Sequence, residues 1–289
     1  MIELLQILFF SFVFTTFFFL PYYRVVTFKN KINIPSLIDK NILNILLVGN
    51  SFLILSFFNI SLSSIIKIFY LLTFASLFIF FRDFKNLSKI FYYYLFFFVL
   101  IIFFLSVDLA YNLTLYWDAQ KFWFLKTIHF FNNESLYELK NVSKPEYPYF
   151  GSLAWAFFWK LSNLDYEYFG RIFFNIVLCF SIYSIVDLLK ISNLKKLILF
   201  LIFLFVIYDY WHLRGSQEIL VFSFLLICSK YLYLFVNEKK IDYGQLIIFF
   251  LSLNLLIWTK NEGIFFGLFV VITFLFYSKI NLKFKIIIF

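Results

Sequence analysis

Apolar residues in this chain run in long blocks, and polar residues collect in the gaps between them. Nine blocks stand out: 2–20, 42–60, 65–81, 87–107, 169–189, 197–211, 219–236, 241–258 and 264–277. Most approach the about 20 apolar residues that a helix needs to cross a hydrocarbon core of about 30 Å, and the shorter 197–211 and 264–277 are read as spans with them. A tenth, 150–164, is apolar but short, and about 15 residues of helix rise only about 22 Å. It reads as a short crossing or a re-entrant helix. The pattern predicts an all-α, polytopic membrane helix bundle of about nine full spans plus one short or re-entrant helix.

Composition agrees with that pattern. Of 289 residues, 63% are hydrophobic and 14% charged, and mean hydropathy is +0.90. Soluble domains lie nearer about half and about a quarter, so a water-soluble globule and a disordered chain are both excluded. The two cysteines, Cys179 and Cys228, fall inside apolar blocks; they read as small packing residues, not as a disulfide framework. The 49 phenylalanines accompany abundant Ile, Leu, Lys and Asn, as AT-rich codon usage would give, so aromatic stripes alone carry no functional weight here.

The net charge of +9 is unexpected beside such hydrophobicity, and the placement of the lysines decides what it means. Basic residues gather in loops 21–41, 82–89, 190–196, 237–242 and 278–285. The first block lacks the basic leader of a cleavable signal and is followed by Arg24, Lys29 and Lys31; it reads as an anchor with its N-terminus outside. All five basic loops share the inner side only if 150–164 and 169–189 together make one net crossing. On this charge argument the short block is expected to be re-entrant or interfacial. The basic balance is then an orientation signal, and no nucleic-acid partner is expected. The outer face collects 108–148, 209–218 and 260–262, where most of the awkwardly placed polar residues lie.

The first outer segment carries Tyr116-Trp117-Asp118 and continues through Phe122, Trp123, Leu125, Lys126 and Ile128 to His129. Apolar residues at 122, 125 and 128 predict an amphipathic helix on the membrane surface, with Asp118 at its start. Asp118 is there either a helix cap or, beside an embedded cavity, a general base or metal ligand. Pro145 and Pro148 frame Glu146 and Tyr147 in a rigid bend.

The second segment holds Asp209, His212, Arg214 and Glu218. These form interfacial salt bridges, or else Glu218 with Asp118 binds a divalent cation while Arg214 faces a phosphate. His212 is a further candidate for that metal site. The third, Trp258-Thr259-Lys260-Asn261-Glu262-Gly263, is a boundary turn closed by glycine, or a place where Lys260 holds an anion and Glu262 orients it. Gly263 and Gly267 make a small-xxx-small pair suited to close helix packing. The Asn-x-Ser/Thr triplets at Asn112, Asn133 and Asn141 are expected by chance at this composition.

The sequence has no Gly-rich phosphate loop, no Cys/His zinc spacing and no Gly-x-Ser-x-Gly. Any sugar donor would therefore arrive through the lipid. In order, Trp117-Asp118 with Trp123 and Lys126, Tyr147-Pro148 opening a short helix, Arg171, the 215–218 turn with Glu218, and Trp258 to Gly263 form a series over residues 87–280. That series resembles the GT-C superfamily of polyprenyl-phosphate-dependent glycosyltransferases, nearest its protein mannosyltransferase and aminoarabinose transferase-like branch.

The resemblance implies a GT-C-like core over 87–289 with an outer loop at 107–150, preceded by three N-terminal spans in 1–86. It implies an inverting glycosyltransferase of the bacterial inner membrane that moves a sugar from a polyprenyl-phosphate donor to a glycan, lipid or protein acceptor on the outer, periplasmic face. Asp118 would act on the acceptor hydroxyl. Lys126, Tyr147, Arg171, Arg214, Lys260 and Glu262 would bind substrate, and Glu218 with Asp118 is the candidate pair for a divalent metal ion. Family members tend to be longer, and this chain ends within the apolar run 286–289, so a truncated or shortened relative is expected. The rival readings are a transporter or flippase subunit for a lipid-linked sugar or anion, and a non-catalytic relative. The sequence shows no repeated halves, which many transporters have.

Overall fold

The computed structural model describes residues 2–26, 36–83, 88–208, 214–237 and 242–279, and these hold helices with no strand among them. In chain order they are α1 (Ile2–Phe19), α2 (Tyr22–Val26), α3 (Leu37–Phe57), α4 (Leu62–Asp83), α5 (Lys89–Tyr111), α6 (Phe124–Phe131), α7 (Phe150–Ser162) and α8 (Tyr168–Asp187). Then come α9 (Asn193–Ile207), α10 (Glu218–Asn237), α11 (Tyr243–Thr259) and α12 (Asn261–Tyr277). A π-helical turn, Ala119–Trp123, leads into α6.

Six stretches among the described residues are long and apolar enough to cross a membrane: Ile2–Val25, Leu37–Phe57, Leu62–Arg82, Lys89–Tyr111, Tyr168–Asp187 and Glu218–Asn237. The other three predicted spans are shorter helices. α11 and α12 have 17 residues each, at the lower bound of about 17–25 for a crossing. α9 has 15, and the end of its predicted block, 209–211, lies outside the described residues. The peripheral helices present large apolar side chains outward, such as Phe74 on α4 and Phe265 on α12, each 75% exposed. Apolar surface on that scale belongs in hydrocarbon, not water, and the chain is a multi-pass membrane protein.

Contacts at helix ends sort the bundle into two ends. At one, Tyr168 donates to Glu3, Ser56 meets Tyr149, Ser63 donates to Asn133, and Tyr208 donates to Asp108. At the other, Asn44 donates to the Phe18 and Leu20 carbonyls, Tyr183 donates to Tyr94, Lys196 pairs with Asp187, and Lys279 donates to the Phe235 carbonyl. The first is called the site end, the second the far end. α1, α3, α4 and α5 alternate between them, and so do α8 through α12. α7 does not. Tyr149 before it reaches Ser56 at the end of α3, and Lys160 in its last turn donates to the Phe131 carbonyl and to Asn133. Both ends of α7 therefore lie at the site end, and α7 with α8 makes one net crossing, as the charge argument requires. The helix ends flanking the basic loops accordingly meet at the far end.

α8 is the axis: α1, α3, α5, α7, α9 and α10 all pack against it. Its buried polar residues reach across to neighbouring helices, the Asn175 amide nitrogen donating to Ser106 and Tyr183 donating to Tyr94, as is common between helices in lipid. Cys179 and Cys228 are buried and free, in keeping with a packing role. α1 and α3 pack on the 87–289 segment through α5, α8 and α11, so the N-terminal spans are part of the bundle.

Candidate functional site

The three outer segments converge at the site end. The Tyr116 backbone N–H donates to the Arg214 carbonyl at 2.9 Å, which ties the stretch before Asp118 to the turn before α10. Gly215 in that turn has φ +82°, and a Cβ there would stand 2.7 Å from the Trp155 ring and 3.2 Å from Ala119. Only glycine combines that backbone with that closeness. The turn delivers Glu218 as the first residue of α10, while the break between α11 and α12 delivers Lys260.

Lys260 stands among three carboxylates. Its ammonium contacts Glu218, lies 3.8 Å from Asp118 Oδ2 and 3.5 Å from Glu262 Oε1. Ser216 donates to the second oxygen of Glu218. Burial alone would lower the Lys260 pKa, but the Glu218 contact, aided by Glu262 and Asp118, outweighs it and raises the pKa above the usual lysine value. Lys260 is thus a fixed positive charge and no base.

Asp118 accepts from the Trp123 indole N–H at 3.4 Å through Oδ2. Its other oxygen, Oδ1, is buried and has no hydrogen-bond partner among the described residues. The capping role is overturned: Asp118 itself has helical φ and ψ and its side chain makes no cap bond. A buried carboxylate oxygen without a donor is costly unless a ligand hydroxyl supplies one.

A second group adjoins the first through Trp123. Lys126 is fully buried; its ammonium donates to the Tyr147 carbonyl at 2.7 Å and lies over the rings of Trp123 and Tyr147. Desolvation lowers its pKa to about 8, partly offset by Glu146. Snorkelling, expected of this lysine, does not occur. The apolar stripe expected at 122, 125 and 128 is also displaced: Ala119, Trp123, Lys126, Thr127 and Phe130 are buried and Leu125 is exposed. The π turn inserts one residue and rotates the following face. Tyr147 and Glu146 further line a cavity of about 580 Å³, with Phe57, Trp258, Asn261 and Ile264 opposite. That volume is in the usual range for small-molecule sites, about 300–1,000 Å³.

No protein-family model, curated protein or solved structure matches this chain. The site's chemistry therefore stands on its own residues.

Asp118, Glu218, Lys260 and Glu262 meet; Lys126 and Tyr147 form the adjoining group, and Arg214 enters through its backbone. Arg171 lies elsewhere: fully buried, it makes a two-pronged ion pair with Glu167 (2.6 and 3.0 Å) and stacks on Trp155. Asp209 and His212 lie outside the described residues. Among the described residues no three His, Cys, Asp or Glu side chains are placed to hold a metal ion. Between Asp118 and Glu218, where the sequence places a divalent cation, the Lys260 ammonium stands instead. The chemistry proposed below draws its positive charge from side chains.

Sequence reasoning missed Trp123 as the donor to Asp118, Ser216 as the donor to Glu218, and Gln217, fully buried with its Oε1 unpartnered. Ser216, two residues ahead of an acid that opens an apolar block, was a legible signal. Trp123 was hidden among many aromatics.

Proposed function

We propose that the chain is a membrane glycosyltransferase that takes a sugar from a polyprenyl-phosphate donor at the site end, which faces the outside of a bacterial inner membrane. The observation that carries this reading is Asp118: one carboxylate oxygen held by Trp123 near Lys260, the other buried and unpartnered. An acceptor hydroxyl donating to Oδ1 satisfies that oxygen and places the attacking oxygen next to its base. The hydroxyl oxygen bonds to the anomeric carbon as its proton passes to Asp118. The bond from that carbon to the phosphate oxygen breaks, and polyprenyl phosphate leaves with the bonding pair. A single displacement of this kind inverts the anomeric carbon. Lys260, held cationic, supplies positive charge as the leaving group develops its own. The cavity beside Tyr147 and Trp258, with apolar walls and few polar groups, has the character of a place for an amphipathic substrate.

The test supplies sugar-labelled polyprenyl phosphates to membranes that contain the chain, and measures label leaving the donor for another molecule. Covalent transfer supports the reading. A labelled donor that crosses the membrane intact, with no transfer, contradicts it and favours transport.

A further inference from the structure

At the far end, remote from the Lys260 cluster, lies a cavity of about 140 Å³ between the α1–α2 corner, the first turns of α3 and the ends of α4 and α5. Its polar lining is Tyr23, Arg24, Lys40, Asn41 and Asn44, with Arg24 Nε donating to the Tyr23 hydroxyl at 3.3 Å. Phe19, Phe80 and Phe91 are among its apolar walls. Asn44 is spent on the fold, accepting from the Tyr23 backbone N–H and donating to the Phe18 and Leu20 carbonyls. Asn41 is not. It is 1% exposed, and its amide nitrogen has no acceptor among the described residues. A buried donor of this kind costs stability unless something accepts from it. The adjacent acid offers nothing to the cavity, because Asp39 is turned to α10 and bound by Lys230 at 2.6 Å and Tyr231 at 2.7 Å.

A cavity with two cationic side chains, an unanswered amide donor and no carboxylate among its described lining residues selects an anion. Its room, about four or five times the roughly 30 Å³ of one water, suits a phosphate. Its place, at the basic end of a membrane bundle between aromatic walls, suits a phosphate that brings an acyl chain with it.

We propose that this cavity binds a phosphate group, presented by an anionic lipid of the leaflet at the basic end. Lys40 and Arg24 supply charge, and the Asn41 amide donates to a phosphate oxygen. The bound group ties the α1–α2 corner to α3.

The full chain, purified in detergent with phosphatidylcholine, is titrated with phosphatidylglycerol while its thermal midpoint is followed, and a parallel arm uses inorganic phosphate. A saturable rise with phosphatidylglycerol is expected. Lys40→Gln should weaken it about fivefold, the worth of one basic residue near an anionic surface, while Lys40→Arg retains it. Lys190→Gln, which removes an exposed far-end charge outside the cavity, should leave it unchanged. If Lys40→Gln does not fold, Arg24→Gln on an exposed side chain carries the same expectation. An equal rise with inorganic phosphate, equally sensitive to Lys40, keeps the site and makes free phosphate its ligand. No rise in either arm, or the same weakening by Lys190→Gln, overturns the proposal, since charge would then act only diffusely.

Discussion

Lys126 carries its charge where almost no water reaches, and that has a consequence in pH. Its pKa in the folded chain is lowered to about 8 from the ordinary 10.5. Between those values the unfolded chain holds more protons than the folded one, so stability rises with pH through that window. Below about pH 8 both states are protonated and the cost of burying the ammonium is constant. The thermal midpoint of the wild type should therefore climb relative to Lys126→Met between pH 8 and 10.5; parallel curves would contradict the burial. At the far end, the Asp39 carboxylate answers both Lys230 and Tyr231 inside the bundle. Asp39→Asn leaves a buried ammonium uncompensated, at about 3–5 kcal/mol. A large fall in thermal midpoint is expected, whereas Lys67→Gln on the exposed face of α4 should change little. The sequence offered neither partner of Asp39, because pairing residues 191 positions apart requires knowing which helices touch.

Helices, as elements, were more legible than their contacts. The hairpin of α11 and α12 shows why. Gly263 and Gly267 read as a close-packing pair, and a Cβ on Gly263 would stand 2.0 Å from the Leu256 carbonyl oxygen, one on Gly267 2.9 Å from the Ile257 side chain. Backbone cannot yield as a side chain can. Gly263→Ala should therefore destabilise by about 1–3 kcal/mol or more and displace Lys260, while Gly267→Ala costs less. Equal, wild-type-like unfolding of both variants would show that the hairpin does not need the close approach. The helix after Asp118 marks the opposite limit: its existence followed from periodicity, but its buried face did not, since a π turn moves every later side chain around the axis by one residue. α9 and α12 begin ahead of their apolar blocks, at Asn193 and Asn261, because polar residues fill a helix's first turn as readily as apolar ones and periodicity of hydrophobicity alone does not mark where the helix starts.

Charge and packing agree across the whole molecule. The basic loops adjoin helix ends that meet at the far end, while Asp118, Glu218, Lys260 and Glu262 meet at the other. That separation was readable from the lysines, provided the short block did not cross; α7, with both ends on one side, supplies the missing parity. A topology reporter fused after Lys196 should report the inside, and an outside signal would reverse the orientation and remove the donor's route to the site. What the sequence could not supply was the company each acid keeps. Arg171 pairs with Glu167, and the Lys260 ammonium lies between Glu218 and Asp118.

The most direct test of the central claim is the rate at which polyprenyl phosphate is released from a polyprenyl-phosphate sugar by membranes holding either wild type or Asp118→Asn at equal protein level. Loss of a general base should slow release by about 10²-fold or more. A near-wild-type rate in the variant would take Asp118, and with it the proposed site, out of the chemistry.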